Sequence, residues 1–110
     1  MMEESAATEY VVSAVREELR DDYVEFWLLL RIIRRSFPEA DEARIRELTE
    51  VILEELLEGA VMGDLDGDTG RFNPWPGNDQ LKTVMSAWRS LGREPNMGDI
   101  GWLAALPLDA

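Results

Sequence analysis

At 110 residues the chain is long enough to bury one core and too short for two. Its 23 acidic residues against 11 basic ones leave a formal charge of −12, which favours solubility, attracts basic partners and repels nucleic acid and anionic membrane surfaces. The absence of Cys and His excludes a disulfide framework, thiol chemistry, the commonest transition-metal ligand and the usual general base near neutral pH. The start, MMEESAATEY, is acidic and lacks the basic opening and apolar run of a secretion signal. The longest apolar run, Phe26 to Leu30, falls far short of the roughly 20 residues that cross a bilayer, so the chain reads as soluble and cytoplasmic, with no membrane partner.

Residues 1–7 are expected to fray. Thr8 is a plausible N-cap for a first helix with Val11 or Val12, Val15 and Leu19 on one face. Asp21 and Asp22 either end it or sit within one long helix reaching Ser36. If Asp22 caps a second helix, Glu25 is its capping-box partner, and Phe26, Leu29, Leu30 and Ile33 form the buried stripe. Pro38 closes this element because Phe37 is pushed out of the helical region. Asp41 then caps the clearest helix, in which Ile45, Leu48, Ile52 and Leu56 face inward, with Val51, Leu53 and Leu57 as candidates beside them and Gly59 as the stop. Residues 59–76 read as a hairpin, Ala60 to Leu65 returning as Arg71 to Trp75. A C-terminal helix over 79–91 follows, with Leu81, Val84, Met85, Trp88 and Leu91 on one side and Gly92 at its end. The apolar run at 99–106 fits a short helix or a strand equally.

The expected fold is therefore mainly α with a small β-hairpin, a single domain over 1–110. Three N-terminal helices, a hairpin entered directly through a glycine at Leu56-Leu57-Glu58-Gly59-Ala60-Val61, and a C-terminal helix follow in order. From Phe26 to Trp75, about half the chain, this resembles the bacterial winged-helix domains. The resemblance implies DNA binding through the third helix and the wing. The residues at those places oppose it: the third helix turns Glu42, Glu47, Glu50, Glu54, Glu55 and Glu58 outward against Arg44 and Arg46, and the wing tip carries Asp64, Asp66 and Asp68 against Arg71. Affinity for duplex DNA rests largely on Lys and Arg neutralising phosphates, so a nucleic-acid partner is not expected.

The basic residues Arg31, Arg34, Arg35, Arg44 and Arg46 cluster in the sequence. They read first as partners for the surplus carboxylates and second as a weak anion site. Asp64, Asp66 and Asp68 alternate as calcium-loop ligands do at positions 1, 3 and 5. Position 6 is Thr69 rather than Gly, however, and position 12 is Trp75 where a bidentate Glu is required. Turn chemistry through Asp-Gly and Thr-Gly explains the same residues, so no metal or cofactor is expected. No serine has a histidine to activate it, and no glycine loop leads to a Lys, so the chain is not expected to be an enzyme. The four tryptophans read as core, Trp27 with an interface as its alternative.

Two functions remain. One is an acidic protein-binding module, monomeric or homodimeric, of the kind represented by immunity proteins that neutralise a basic partner such as a nuclease toxin; Glu47, Glu50, Glu54, Glu55, Glu58, Asp64, Asp66 and Asp68 would be its contacts. The other is a winged-helix transcription regulator or a degenerate relative of one.

Overall fold

A computed structural model describes residues 3–108. Its elements in order are α1 (Glu4–Leu19), β1 (Val24–Glu25), α2 (Phe26–Ser36), α3 (Glu42–Leu56), β2 (Ala60–Leu65), β3 (Phe72–Pro74), α4 (Gln80–Leu91) and β4 (Trp102–Ala105). Helices take up about half of the chain, and the strands form one antiparallel sheet in the order β1-β4-β2-β3. The molecule is thus mixed α/β rather than mainly α with an isolated hairpin.

The sheet is larger than periodicity suggests because β4 lies inside it. Leu103 and Ala104 are consecutive and both buried, as happens when both faces of a strand are covered and alternation disappears. This resolves the 99–106 run as a strand. It pairs with β2 from Ala60↔Ala105 to Gly63↔Trp102 and with β1 at Val24↔Leu103 and Glu25↔Trp102. The expected hairpin survives only at its far end, where Gly63, Asp64 and Leu65 pair with Pro74, Asn73 and Phe72. Val24, Leu103 and Met62 form one transverse row, at most 1% exposed, on the face that carries the core.

The helical stripes pack on that core as their spacing demands. Val11, Val12, Val15 and Leu19 of α1, Phe26, Leu29, Leu30 and Ile33 of α2, and Ile45, Leu48, Ile52, Leu53 and Leu56 of α3 are all buried in one cluster. From α4, Val84 and Trp88 enter it, and Trp88 meets Phe26 edge-on at 5.5 Å. Trp88 is the one buried tryptophan. Trp27, one step off the α2 stripe, is half-buried outside the cluster, so its expected place in the core is not where it lies; Trp75 and Trp102 are half-buried too.

Several local expectations change in tertiary context. Helix α1 starts at Glu4 with Glu3 at its N-cap, Ala7 is buried, and the Thr8 hydroxyl donates back to the Glu4 carbonyl at 2.9 Å instead of capping. Residues 3–7 therefore form the cap and first turn of a helix, while 1–2 lie outside the described residues. The Asp22–Glu25 capping box does not form, because β1 occupies the junction. Glu25 itself stands at the N-cap of α2, and its carboxylate turns away to accept the Gly98 N–H. Asp41 caps α3 as expected, accepting the Arg44 N–H at 2.8 Å. Gly59 is not left-handed: α3 ends through Leu57 in a right-handed turn, and the next two residues lead straight into β2.

Candidate functional site

Helix α3 buries one face completely, which determines what its opposite face displays. Glu47, Glu50 and Glu54 recur at spacings of three and four, across the helix from Ile45, Ile52 and Leu56, Glu58 follows in the turn after the C-cap Leu57, and all four are exposed. Val51, 55% exposed, stands among them as an apolar residue in an acidic stripe, although it was a candidate for the core. Glu55 lies at the margin, half-buried, with its backbone carbonyl accepting from Arg16 at 3.4 Å. At the C-terminal end of the stripe, Glu54 borders a groove of about 460 Å³ between α3, β2 and α4. Leu57, Val61, Leu81 and Leu106 supply its apolar walls.

The basic residues expected to form an anion site do not converge. Arg34 is clamped from two sides, by Glu42 at 2.8 and 3.0 Å and by Glu94 at 2.7 and 3.0 Å. These bonds, Glu42's foremost, hold the guanidinium above its ordinary pKa and the Glu42 carboxyl below its own. Arg44 pairs with Glu47 at 2.7 Å and with Glu4, and the two bonds raise its pKa. Arg31 lies over the Trp27 ring at 4.8 Å, and Arg46 over Trp88 at 5.5 Å. Arg35 is exposed at the end of α2. Both arginines of α3 are thus committed within the fold: Arg44 neutralises Glu47 at the first end of the stripe, and Arg46 turns toward α4.

The wing aspartates separate by role. Asp66 organises the turn, its carboxylate accepting the Asp68 and Thr69 N–H groups at 2.8 and 3.1 Å, which lowers its pKa. Its backbone bonds to Gly70 and Arg71 close the loop, and Gly70 takes φ +72°, where glycine carries no steric cost. A carboxylate that accepts backbone amides in this way is not aimed at a cation or a partner. Asp64 and Asp68 are exposed. Among the described residues no group of three or more carboxylates gathers as metal ligands.

Four polar or aromatic features escape sequence reasoning because their partners are distant in the chain. The Arg34 clamp joins α2, the first turn of α3 and the loop after α4. Gln80 behaves as a piece of strand: its Oε1 accepts the Met62 N–H at 2.7 Å, and its Nε2 donates to the Met62 and Trp75 carbonyls at 3.3 and 3.1 Å. Glu25 is 8% exposed, and burial raises its pKa, opposed by the Gly98 N–H and assisted by nearby Asp99. Tyr23 and Phe72 stack with centroids 5.2 Å apart. Of these, only the Tyr23–Phe72 contact has a local hint, Gly63, which the ring covers.

Chemically, this surface offers carboxylates and apolar anchors. No helix among the described residues is long and apolar enough to cross a membrane. Comparison of the chain with protein-family models, curated proteins and solved structures finds no match.

Proposed function

We propose that the chain is an acidic protein-binding module without catalytic activity, an inhibitor or immunity-type protein that engages a basic protein through the outward face of α3. The observation that carries this reading is the internal commitment of both α3 arginines, which leaves Glu50, Glu54 and Glu58 without a salt bridge among the described residues around exposed Val51. Like charges held in one stripe raise the local potential and steer a basic partner into contact. The adjoining groove walled by Leu57, Val61, Leu81 and Leu106 supplies apolar surface, which binding needs beyond charge alone. Of the expected contacts, Glu50, Glu54 and Glu58 fit this role best, while Asp64 and Asp68 are exposed at the far end of the β2–β3 hairpin. Glu47 is shared with Arg44, Glu55 is marginal and Asp66 belongs to the turn.

The frame supports the winged-helix reading through its order: helices α1, α2 and α3, then a hairpin entered just after Gly59. One departure is that β2 pairs mainly with β4, so β3 and α4 stand as an insertion between partners. On that frame α3 is the helix that would meet DNA, and its outward charge would repel phosphate. The two functions separate by titration. A basic protein recovered by affinity capture should associate more slowly as salt rises. Replacing Glu50, Glu54 and Glu58 together by Gln should lower its association rate about tenfold or more, with the fold intact. Salt-sensitive affinity for duplex DNA, retained in the triple variant, would overturn the protein-binding reading.

A further inference from the structure

The face of the sheet turned away from the core has a different character from α3. By strand alternation Tyr23 and Phe72 both project from this face. Their rings lie 13° from parallel, and Phe72 lies over Gly63, with ring atom Cζ 2.5 Å from where a Cβ would be. Beside the pair is a cavity of about 860 Å³ whose walls include Arg20, Asp21, Asp22 and Arg71, together with Leu108. Tyr23 and Leu108 are each 39% exposed, two of the larger apolar side chains that this chain leaves in solvent.

We propose that this face is the interface of a homodimer, its occupant the same face of a second copy related by a two-fold axis. A two-fold interface must be complementary to itself, because each residue meets the same patch on its partner. In a chain of charge −12, the α3 stripe fails that condition, because set against itself it would juxtapose like charges. The Tyr23–Phe72 face satisfies it. Asp21 and Arg71 lie beside the aromatic pair, while the Asp22 carboxylate is occupied by the Tyr23 N–H at 2.7 Å, so rotation about an axis through the pair can bring Arg71 of each copy toward Asp21 of the other. Arg20 also lies 3.4 Å from Glu17, but both side chains are about three-quarters exposed, and such a pair holds an arginine weakly. The aromatic centre supplies the desolvated contact, and the charges set the register.

The test uses the full chain at about 0.15 M salt, by sedimentation velocity from about 1 μM to about 1 mM, a range that spans the affinities of weak to moderate dimers. A reversible monomer–dimer equilibrium is expected. Arg71→Glu should weaken it about tenfold or more, and Tyr23→Ser should do likewise, whereas Glu50→Gln on α3 should not weaken it. Both Arg71 and Tyr23 are exposed, and far-UV circular dichroism checks that their variants fold. In a mixed sample of labelled and unlabelled chains, isotope-filtered NOEs should place the Tyr23 and Phe72 rings at the contact. A chain that stays monomeric to about 1 mM overturns the proposal. So does a dimer whose affinity neither variant changes, or whose intermolecular NOEs fall elsewhere.

Discussion

Gly63 shows how one residue without a side chain determines what a whole sheet face displays. A Cβ there would lie 2.5 Å from both the Asn73 carbonyl oxygen and the Phe72 ring, and the carbonyl belongs to the backbone of the paired strand, so it cannot swing aside. Gly63→Ala is expected to cost about 1–3 kcal/mol in urea unfolding, the usual range for forcing a methyl group into packed surroundings, and to separate the Tyr23 and Phe72 rings. Glu25 makes a different prediction. Its folded pKa is raised, so the native state holds this proton more tightly than the unfolded chain. Its contribution favours folding below the unfolded value and is lost as pH rises through the folded one. Glu25→Gln keeps an oxygen for the Gly98 N–H and removes the buried charge. The variant should therefore be more stable than the parent at pH 7, with the difference shrinking as pH falls toward ordinary glutamate values. Asp66, Asp99 and Glu42 run the opposite way: their lowered pKa values contribute stability that disappears on acidification. Paired unfolding curves of parent and variant across pH separate Glu25 from that background.

At the scale of elements, the helices were readable, as were the Asp41 cap of α3, the stop of α2 before Pro38 and the stop of α4 at Gly92, whereas the α1–α2 junction was not. The stripes of α1, α2 and α3 repeat at helical spacing, and a repeat every three to four residues needs no knowledge of the rest of the chain. Strand β1 has two residues, too short for any period, and it exists because β4 returns beside it. The same distance effect hid the Arg34 clamp, since Glu42 and Glu94 come from opposite ends of the loop-and-helix sequence that follows α2. Arg34→Gln should cost about 1 kcal/mol, less than a buried charge pair because both glutamates are largely exposed and screened. That loss should itself shrink with added salt, which chemical unfolding at two ionic strengths will show. The site was partly legible at this scale. The position of the glutamates on α3 followed from its period, while the disposal of Arg44 and Arg46 did not, because Glu4 lies in α1 and Trp88 in α4.

For the whole molecule, charge is the dominant long-range term. A net −12 distributed over a body of 13.6 Å radius of gyration repels itself throughout when the screening length is about 30 Å, near 0.01 M salt, and only locally when it is about 8 Å, near 0.15 M. Thermal unfolding should accordingly move upward by about 3 °C or more between those conditions, followed by circular dichroism; a fall would mean that paired charges such as the Arg34 clamp outweigh the net repulsion. Composition and periodicity by themselves determined the net charge, three amphipathic helical stripes and an acidic outward face on α3, because each is a property of residue type and local spacing. Only the tertiary structure decided that β4 fills the middle of the sheet, that Arg34, Arg44 and Arg46 are engaged within the fold, that Asp66 serves its own turn, and that Tyr23 meets Phe72. Apart from the Asp66 turn, which is local but shares its residue types with a calcium loop, these depend on segments tens of residues apart, whose pairing is selected by burying both faces of β4 and one face of every helix at once.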